Sequence, residues 1–216
     1  MKRTIGSTIK NNKTFLVFIL LMFAFRSSLA DWNTVPTGSM KPTILEGDRI
    51  LVNKMAYDIR VPFTHVSLLK ISDPKRGDIV VFDSTRQDMR MVKRIIGVPG
   101  DVVAMRNNVL YINDEQLAYH DISMSRQTVD KREILAGKPH IVRVNKYGSQ
   151  LSSFRPVSVP AGHYLVMGDN RDNSADSRVF GFVPRSEIVG RSNSVVMSLN
   201  YDNYYLPRGD RFFHEL

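Results

Sequence analysis

The chain contains no cysteine, which excludes disulfide bonds, thiolate catalysis and cysteine-based zinc sites. Histidine is also scarce: there are five, and no two stand at a metal-binding spacing such as HExxH or HxH. We therefore expect neither a metal ion nor another cofactor. A Ser-His-Asp triad remains open because triads assemble in space, although Ser39 lacks a GxSxG context.

Acidic residues are outnumbered by basic ones. Asp and Glu total 21 against 30 Lys and Arg, which gives a formal net charge of +9. Such a balance favours anionic partners, either nucleic acid or acidic lipid headgroups.

Long hydrophobic runs are limited to one, "TFLVFILLMFAF" at 14–25, which follows the basic stretch "MKRTIGSTIKNNK". This order predicts a cytoplasmic tail at 1–13, a membrane segment at 14–30, and export of residues 31–216. Residues 15–25 would form a helix of roughly 17 Å against a hydrocarbon core of ~30 Å, which favours a cleavable signal peptide. An uncleaved anchor, with Lys13 and Arg26 at the interfaces, is the alternative.

Helical periodicity is scarce in the exported part. Short β-branched runs such as "DIVVF" and "HYLVM" alternate instead with turn signals such as "KRGD" and "VPGD". The pattern predicts a mainly β protein of barrel or sandwich type. Because 113–159 is more polar and its hydrophobic pattern is weak until "HIVRV", we predict a catalytic domain formed by 31–105 and 160–216, with 106–159 as a smaller inserted domain.

The segment "GDNRDNSADSRVF" at 168–180 is dense in acids and amides. It does not fit a calcium loop, because an EF-hand needs Gly and Glu where Ser174 and Phe180 stand. The composition indicates Asx turns held by Asp–Arg pairs, which could hold one functional side chain rigidly.

Lys93, in "MRMVKRIIGVPGD", is the lysine with the most apolar surroundings. Loss of hydration there would lower its pKa, and a drop of about 3 units from ~10.4 would make it a base near neutral pH. The alternative is a lysine at a strand edge with its amine in water.

Three segments together resemble the boxes of bacterial type I signal peptidases, and they stand in that family's order. They are "PTGSMKPTILEGDRILVNKMAY", "KRGDIVVF … MVKRIIGVPGD" and "MGDNRDNSADSRVFGFVP". The resemblance implies a β-rich catalytic domain with a smaller inserted β domain and a retained N-terminal anchor in the cytoplasmic membrane. It reverses the preference for a cleaved signal peptide.

The resemblance also implies roles for single residues. Ser39 corresponds to the nucleophile and Lys93 to the general base, while Ser174 orients the lysine amine. Thr37 and the Ser39 amide correspond to the oxyanion hole; serine is commoner at the Thr37 position, and threonine adds a methyl group and a stiffer χ1. Members of the ion-paired loop scaffold are Asp169, Asp176 and Arg178.

The implied substrate is an exported preprotein that is cut after small residues at the first and third positions before the scissile bond. Its pockets would involve eight apolar residues, whose alternative role is core packing: Val35, Pro36, Met40, Ile44, Ile50, Val81, Met91 and Val92. Asn33 and Lys41 stand where apolar residues are common in the family. Anionic lipid is the second expected partner, and nucleic acid is not expected.

Three alternatives remain on sequence alone. A conjugation or pilus peptidase would use the same Ser/Lys chemistry on other substrates. A self-cleaving repressor would need a DNA-binding helix-turn-helix where the apolar segment lies. A non-enzymatic β binding module would have no reason to contain Ser39, Lys93 and Ser174 in these contexts.

Overall fold

The structure is a computed structural model that describes residues 13–15, 17–19, 22, 30–61, 64 and 66–216. Residues 13–15, 17–19 and 22 are helical. Within the described ranges, no helix combines the length and the apolar character needed to cross a bilayer. Most of the predicted tail at 1–13 and of the predicted membrane segment at 14–30 lies outside the described residues.

Strands dominate the described chain, which confirms the mainly β class. In chain order they are β1 Ala30–Thr34, β2 Asp48–Asn53, β3 Asp58–Arg60, β4 Ser67–Lys70, β5 Ile79–Ser84, β6 Met89–Gly97, β7 Val102–Arg106, β8 Val109–Ile112, β9 Glu115–Gln116, β10 Ala118–Met124, β11 Thr128–Leu135, β12 Lys138–Asn145, β13 Phe154–Ser158, β14 His163–Met167, β15 Val183–Pro184, β16 Ile188–Asn200, β17 Leu206–Pro207 and β18 His214–Glu215. A short α-helix covers Ser177–Phe180, and 3-10 turns cover Gly38–Met40, Lys54–Ala56, Arg171–Asn173, Arg185–Glu187 and Gly209–Arg211.

The main sheet has the strand order β1-β2-β16-β5-β6-β14-β15, and β17 and β18 also pair with β16. Strand β5 lies centrally, and its residues Ile79–Phe82 are all buried, as a continuous β-branched and aromatic run predicts. One core cluster packs against this sheet around Phe82, Ile95 and Val166, and another around Ile50, Val81 and Val195. The sheet therefore brings β1 and β6 onto one rigid frame.

Tight hairpins account for much of the remaining topology. Asn107 and Asn108 both have positive φ between β7 and β8, and Asn113 and Asp114 do so between β8 and β9. Two consecutive residues with positive φ are what a type I′ turn requires, and Asn and Asp tolerate this conformation best after glycine. The "RNN" turn signal in the sequence thus corresponds to a real hairpin.

The predicted insertion at 106–159 contains two groups of strands. β10, β11 and β12 form a three-stranded sheet, whereas β8, β9 and β13 join β7 in a four-stranded sheet. Val103 and Leu110 of that second sheet share a core with Leu165 and Met167 of the main sheet. The division of the chain into two domains at these boundaries stays a prediction.

A buried ion pair fastens the three-stranded sheet to the loop that follows β14. Arg171 donates two hydrogen bonds to Glu133 of β11, at 2.6 and 2.7 Å, and both side chains are fully buried. Tyr119 donates a further hydrogen bond to Glu133. Burial alone would raise the pKa of Glu133, but the charges and hydrogen bonds of Arg171 and His140 together outweigh it and hold that pKa well below its usual value.

We expect Glu133→Gln to destabilise the protein, because it leaves the buried Arg171 charge without its counter-ion. The expected loss in the free energy of unfolding is about 3–5 kcal/mol, measured by urea denaturation. Asp121→Asn is the control, since the Asp121–Lys131 pair spans 3.6 Å and is largely exposed; we expect it to cost less than about 1 kcal/mol. Equal effects of the two variants would contradict the role of the buried pair.

Candidate active site

Ser39 lies in a 3-10 turn whose flanks are fixed by buried apolar side chains. The turn covers Gly38–Met40 and follows β1 directly. Val35 before it, Met40 at its end and Ile44 after it all pack into the core cluster that contains Ile50. Ser39 itself is only partly buried. The apolar neighbours hold the backbone of the turn in place, so the serine hydroxyl has a defined position at the edge of the sheet.

The loop after β14 holds the same turn from the other side. The Asn170 backbone N–H donates to the Ser39 carbonyl oxygen, and its side-chain nitrogen donates to the Gly38 carbonyl, each at 3.0 Å. A Cβ at Gly168 would lie 2.4 Å from the Ser39 carbonyl oxygen and 2.3 Å from Ser174 Oγ. Position 168 therefore requires glycine, because the Ser39 carbonyl and the Ser174 side chain approach its backbone too closely for a Cβ. The role of Asn170 was not predicted from the sequence.

Lys93 on β6 meets Ser39 across the gap between β6 and the Gly38–Met40 turn. Its Nζ lies 2.7 Å from Ser39 Oγ at hydrogen-bond geometry, although the two residues are 54 positions apart. The lysine is only 3% exposed. It forms no ion pair with any residue in the described part of the chain. An amine in this setting has lost water without gaining a counter-ion.

Burial lowers the pKa of Lys93 from 10.5 to about 8. The carboxylates of Asp176 and Asp169 act in the opposite direction, and the positive charge of Arg178 lowers the pKa further. The difference from the ordinary value corresponds to roughly 3 kcal/mol against the charged amine. At pH 7 about a tenth of the amine is thus uncharged and able to take a proton.

Both nearby carboxylates already have partners. Arg94 donates to the two oxygens of Asp169 at 2.8 and 2.7 Å, and Arg178 donates to the two oxygens of Asp176 at 2.8 and 2.7 Å. Thr43 adds a hydrogen bond to Asp169 at 2.5 Å. Because each acid is neutralised by a forked guanidinium, its pull on Lys93 is weak compared with the effect of burial.

Ser174 and Thr37 have side chains without a hydrogen bond in the described structure. Ser174 is 3% exposed, and its Oγ has no hydrogen-bond partner there. Thr37 is exposed and extended, and its side chain makes no capping hydrogen bond to the turn that it precedes. Two hydroxyl groups close to the Ser39 turn therefore make no hydrogen bond within the described structure.

A cavity of about 430 Å³ opens beside the Ser39–Lys93 pair. Five of the eight predicted substrate-binding residues line it, namely Val35, Pro36, Met40, Met91 and Val92. The other three, Ile44, Ile50 and Val81, are fully buried in the core behind Val35 and Met40. Substrate contact by any of the eight stays a prediction.

Arg94 and Asn170 belong to the site, but no role for either was predicted from the sequence. Arg94 follows Lys93 directly in the "KR" pair, and Asn170 lies within "GDNRDN". Neither position reveals its partner, because Asp169 and the Ser39 turn are distant in sequence. Among the described residues, His, Asp and Glu form no group of three or more that could hold a metal ion.

Comparisons with known proteins match this chain to one family. The family Signal peptidase, peptidase S26 matches residues 8–197. Signal peptidase I of Pseudomonas aeruginosa is 36% identical over 206 residues, covering 88% of this chain and 72% of that protein. Signal peptidase I T of Bacillus subtilis is 32% identical over 200 residues, covering 92% of this chain and 90% of that protein.

Among solved structures, a signal peptidase I from Enterococcus faecalis is 32% identical and covers 56% of this chain and 98% of that chain. Its TM-score of 0.38 is too low to show a shared fold. The sequence matches are long enough, and similar enough, to decide the family. This chain belongs to the family Signal peptidase, peptidase S26.

Proposed function

We propose that the protein is a membrane-anchored signal peptidase I, which removes signal peptides from exported preproteins through an acyl-enzyme on Ser39. The observation that carries the proposal is the 2.7 Å contact between Ser39 Oγ and the buried amine of Lys93. A hydroxyl becomes a nucleophile when a base removes its proton, and an uncharged amine at hydrogen-bond distance is such a base.

The reaction divides into two acyl transfers. Neutral Lys93 takes the proton of Ser39 as Oγ attacks the scissile carbonyl carbon. The ammonium then gives that proton to the leaving amine, so the C–N bond breaks, the mature protein departs, and an ester remains on Ser39. Water attacks the ester with Lys93 again as base, which releases the signal peptide and restores the serine.

Several groups around the Ser39–Lys93 pair support these steps. The Thr37 hydroxyl and the Ser39 backbone N–H stabilise the oxyanion, which is worth roughly 3–4 kcal/mol per donor in comparable sites. Ser174 orients the Lys93 amine; its buried and unpaired Oγ supports this role, because rotation about χ1 can redirect it. Asp169, Asp176 and Arg178 keep the surrounding loop rigid and charge-balanced.

The substrate lies extended between two strand edges. Within the described residues, β1 pairs with β2 alone, and Met89–Lys93 of β6 pair with β5, since β14 joins β6 only from Arg94 onward. Both edges border the cavity beside Ser39, and an extended peptide can hydrogen-bond to such edges. The apolar lining from Val35, Met91 and Val92 suits small residues of the Ala-X-Ala type.

We expect Ser39→Ala and Lys93→Arg each to abolish cleavage. The first removes the attacking oxygen, and the second replaces the base with a group that stays protonated. Cleavage of a purified preprotein in detergent, followed by mass spectrometry of the products, should show at least about a thousandfold loss in kcat/KM.

Matched controls for the dyad variants are Ser158→Ala and Lys146→Arg, both at exposed positions. These should retain activity, and circular dichroism should show all four variants folded. Substantial cleavage by a folded Ser39→Ala or Lys93→Arg variant would remove the pair from the mechanism.

Cleavage should also depend on pH through Lys93. Because burial lowers the pKa of Lys93 to about 8, the active unprotonated form is lost as pH falls through that value. We expect kcat/KM to decrease about tenfold per pH unit below pH ~8. A midpoint near the ordinary lysine value of 10.5 would instead indicate a hydrated amine.

The same proposal places the protein in the bacterial cytoplasmic membrane as a single-pass protein, with its N-terminus inside and its catalytic domain on the outer face. The basic stretch at 1–13 followed by the apolar run at 14–25 supports this orientation, and the net charge of +9 favours anionic lipid. The mass of protein extracted from membranes should include residues 1–30. A mature start at Asp31 would contradict a retained anchor.

A further inference from the structure

One polar side chain in the cavity beside Ser39 is not used by the proposed mechanism. Asn33 lies on β1. Asp31, Asn33 and Val35, the residue that follows the strand, share the more buried face, whereas Trp32 and Thr34 are exposed. Asn33 lines the same cavity as Ser39 and Lys93. Asn33 thus stands in a wall where apolar side chains such as Val35 and Val92 are mixed with polar ones such as Thr34 and Asn173.

The amide nitrogen of Asn33 is buried and has no hydrogen-bond partner among the described residues. A buried donor without a partner costs free energy, so polar groups in such positions are normally satisfied. Other side chains of the cavity lining carry acceptors, for example Thr34 and Asn173, but none in the described structure bonds to this nitrogen. A hydrogen-bonding group on an incoming substrate would satisfy the amide.

Strand geometry indicates which substrate residue reaches Asn33. Side chains two positions apart on a strand lie on one face, about 7 Å from each other. Val35 and Asn33 have this spacing, and Val35 is nearer to Ser39 in the chain. In an extended substrate, the first and third residues before the cut have the same spacing. If the first lies beside Val35, the third lies beside Asn33.

We propose that Asn33 is a specificity-determining residue, which makes this enzyme prefer preproteins with serine or threonine at the third position before the cut. A hydroxyl can accept from the amide nitrogen, and it can donate to the amide oxygen if the side chain turns over. A charged residue would lose hydration on entering the cavity. The inference rests on the proposed function and deepens it.

The test uses isosteric pairs of preprotein substrates. Threonine and valine at the third position before the cut have nearly equal shape and differ in one hydroxyl, as do serine and alanine in a smaller pair. We expect the wild-type enzyme to cleave the hydroxyl member about five- to tenfold faster in kcat/KM, which is the effect of one neutral hydrogen bond. The same exchange at the first position should show no such preference.

Asn33→Leu keeps the shape of the side chain and removes its hydrogen-bonding groups. It should lose the preference for threonine over valine while it still cleaves the valine substrate at least as well as the wild type. Asn33→Ala should lose the preference too and needs no repacking. Asn203→Leu, at an exposed turn, is the control that should keep the wild-type ratio.

The outcomes separate the two proposals. Efficient wild-type cleavage without a hydroxyl preference, or a preference that survives in both Asn33 variants, would overturn the role of Asn33 and leave the proposed function intact. Failure of the wild type to cut any preprotein would overturn the proposed function and the assignment together. Loss of the preference in both variants, with cleavage retained, supports it.

Discussion

The site depends on one constraint, which is that the Lys93 amine is buried and forms no ion pair with any other described residue. Two carboxylates, Asp169 and Asp176, lie close enough to influence it, and either could have held it protonated. Each is instead engaged by the forked guanidinium of an arginine, Arg94 or Arg178. Desolvation then outweighs the remaining attraction, and the amine rests near the pKa that a base requires.

Such an arrangement needs a rigid frame, because a small displacement would let water reach the amine. The main sheet supplies the frame by carrying β1 and β6 together, and the apolar residues around the Ser39 turn fix the serine against it. The loop after β14 completes the enclosure through Asn170 and through the Arg171–Glu133 pair, which ties it to the three-stranded sheet. Strands that lie far from the chemistry thus act by holding this loop in place.

Much of this could be predicted from the sequence where the signal is local. Alternating runs and turn residues predicted the mainly β class. The apolar context of Lys93 left open whether its amine is desolvated or lies in water, and the structure buries the side chain to 3% exposure. The partners of Arg94 and Asn170 could not be predicted, since each interacts with a residue at least 75 positions away. Likewise, a set of apolar residues near Ser39 does not reveal that Ile44, Ile50 and Val81 lie behind the cavity wall.

The sequence by itself determined which chemical groups are present: a serine after glycine, a lysine in an apolar strand, and a loop of Asp, Asn and Arg residues, with no thiol to offer another route. Only the tertiary structure decided that the serine and the lysine lie 2.7 Å apart, that the nearby acids are neutralised, and that the amide of Asn33 is left unpaired in the cavity. The physical reason is that burial and charge pairing arise between strands distant in the chain. Composition and local pattern do not contain those distances.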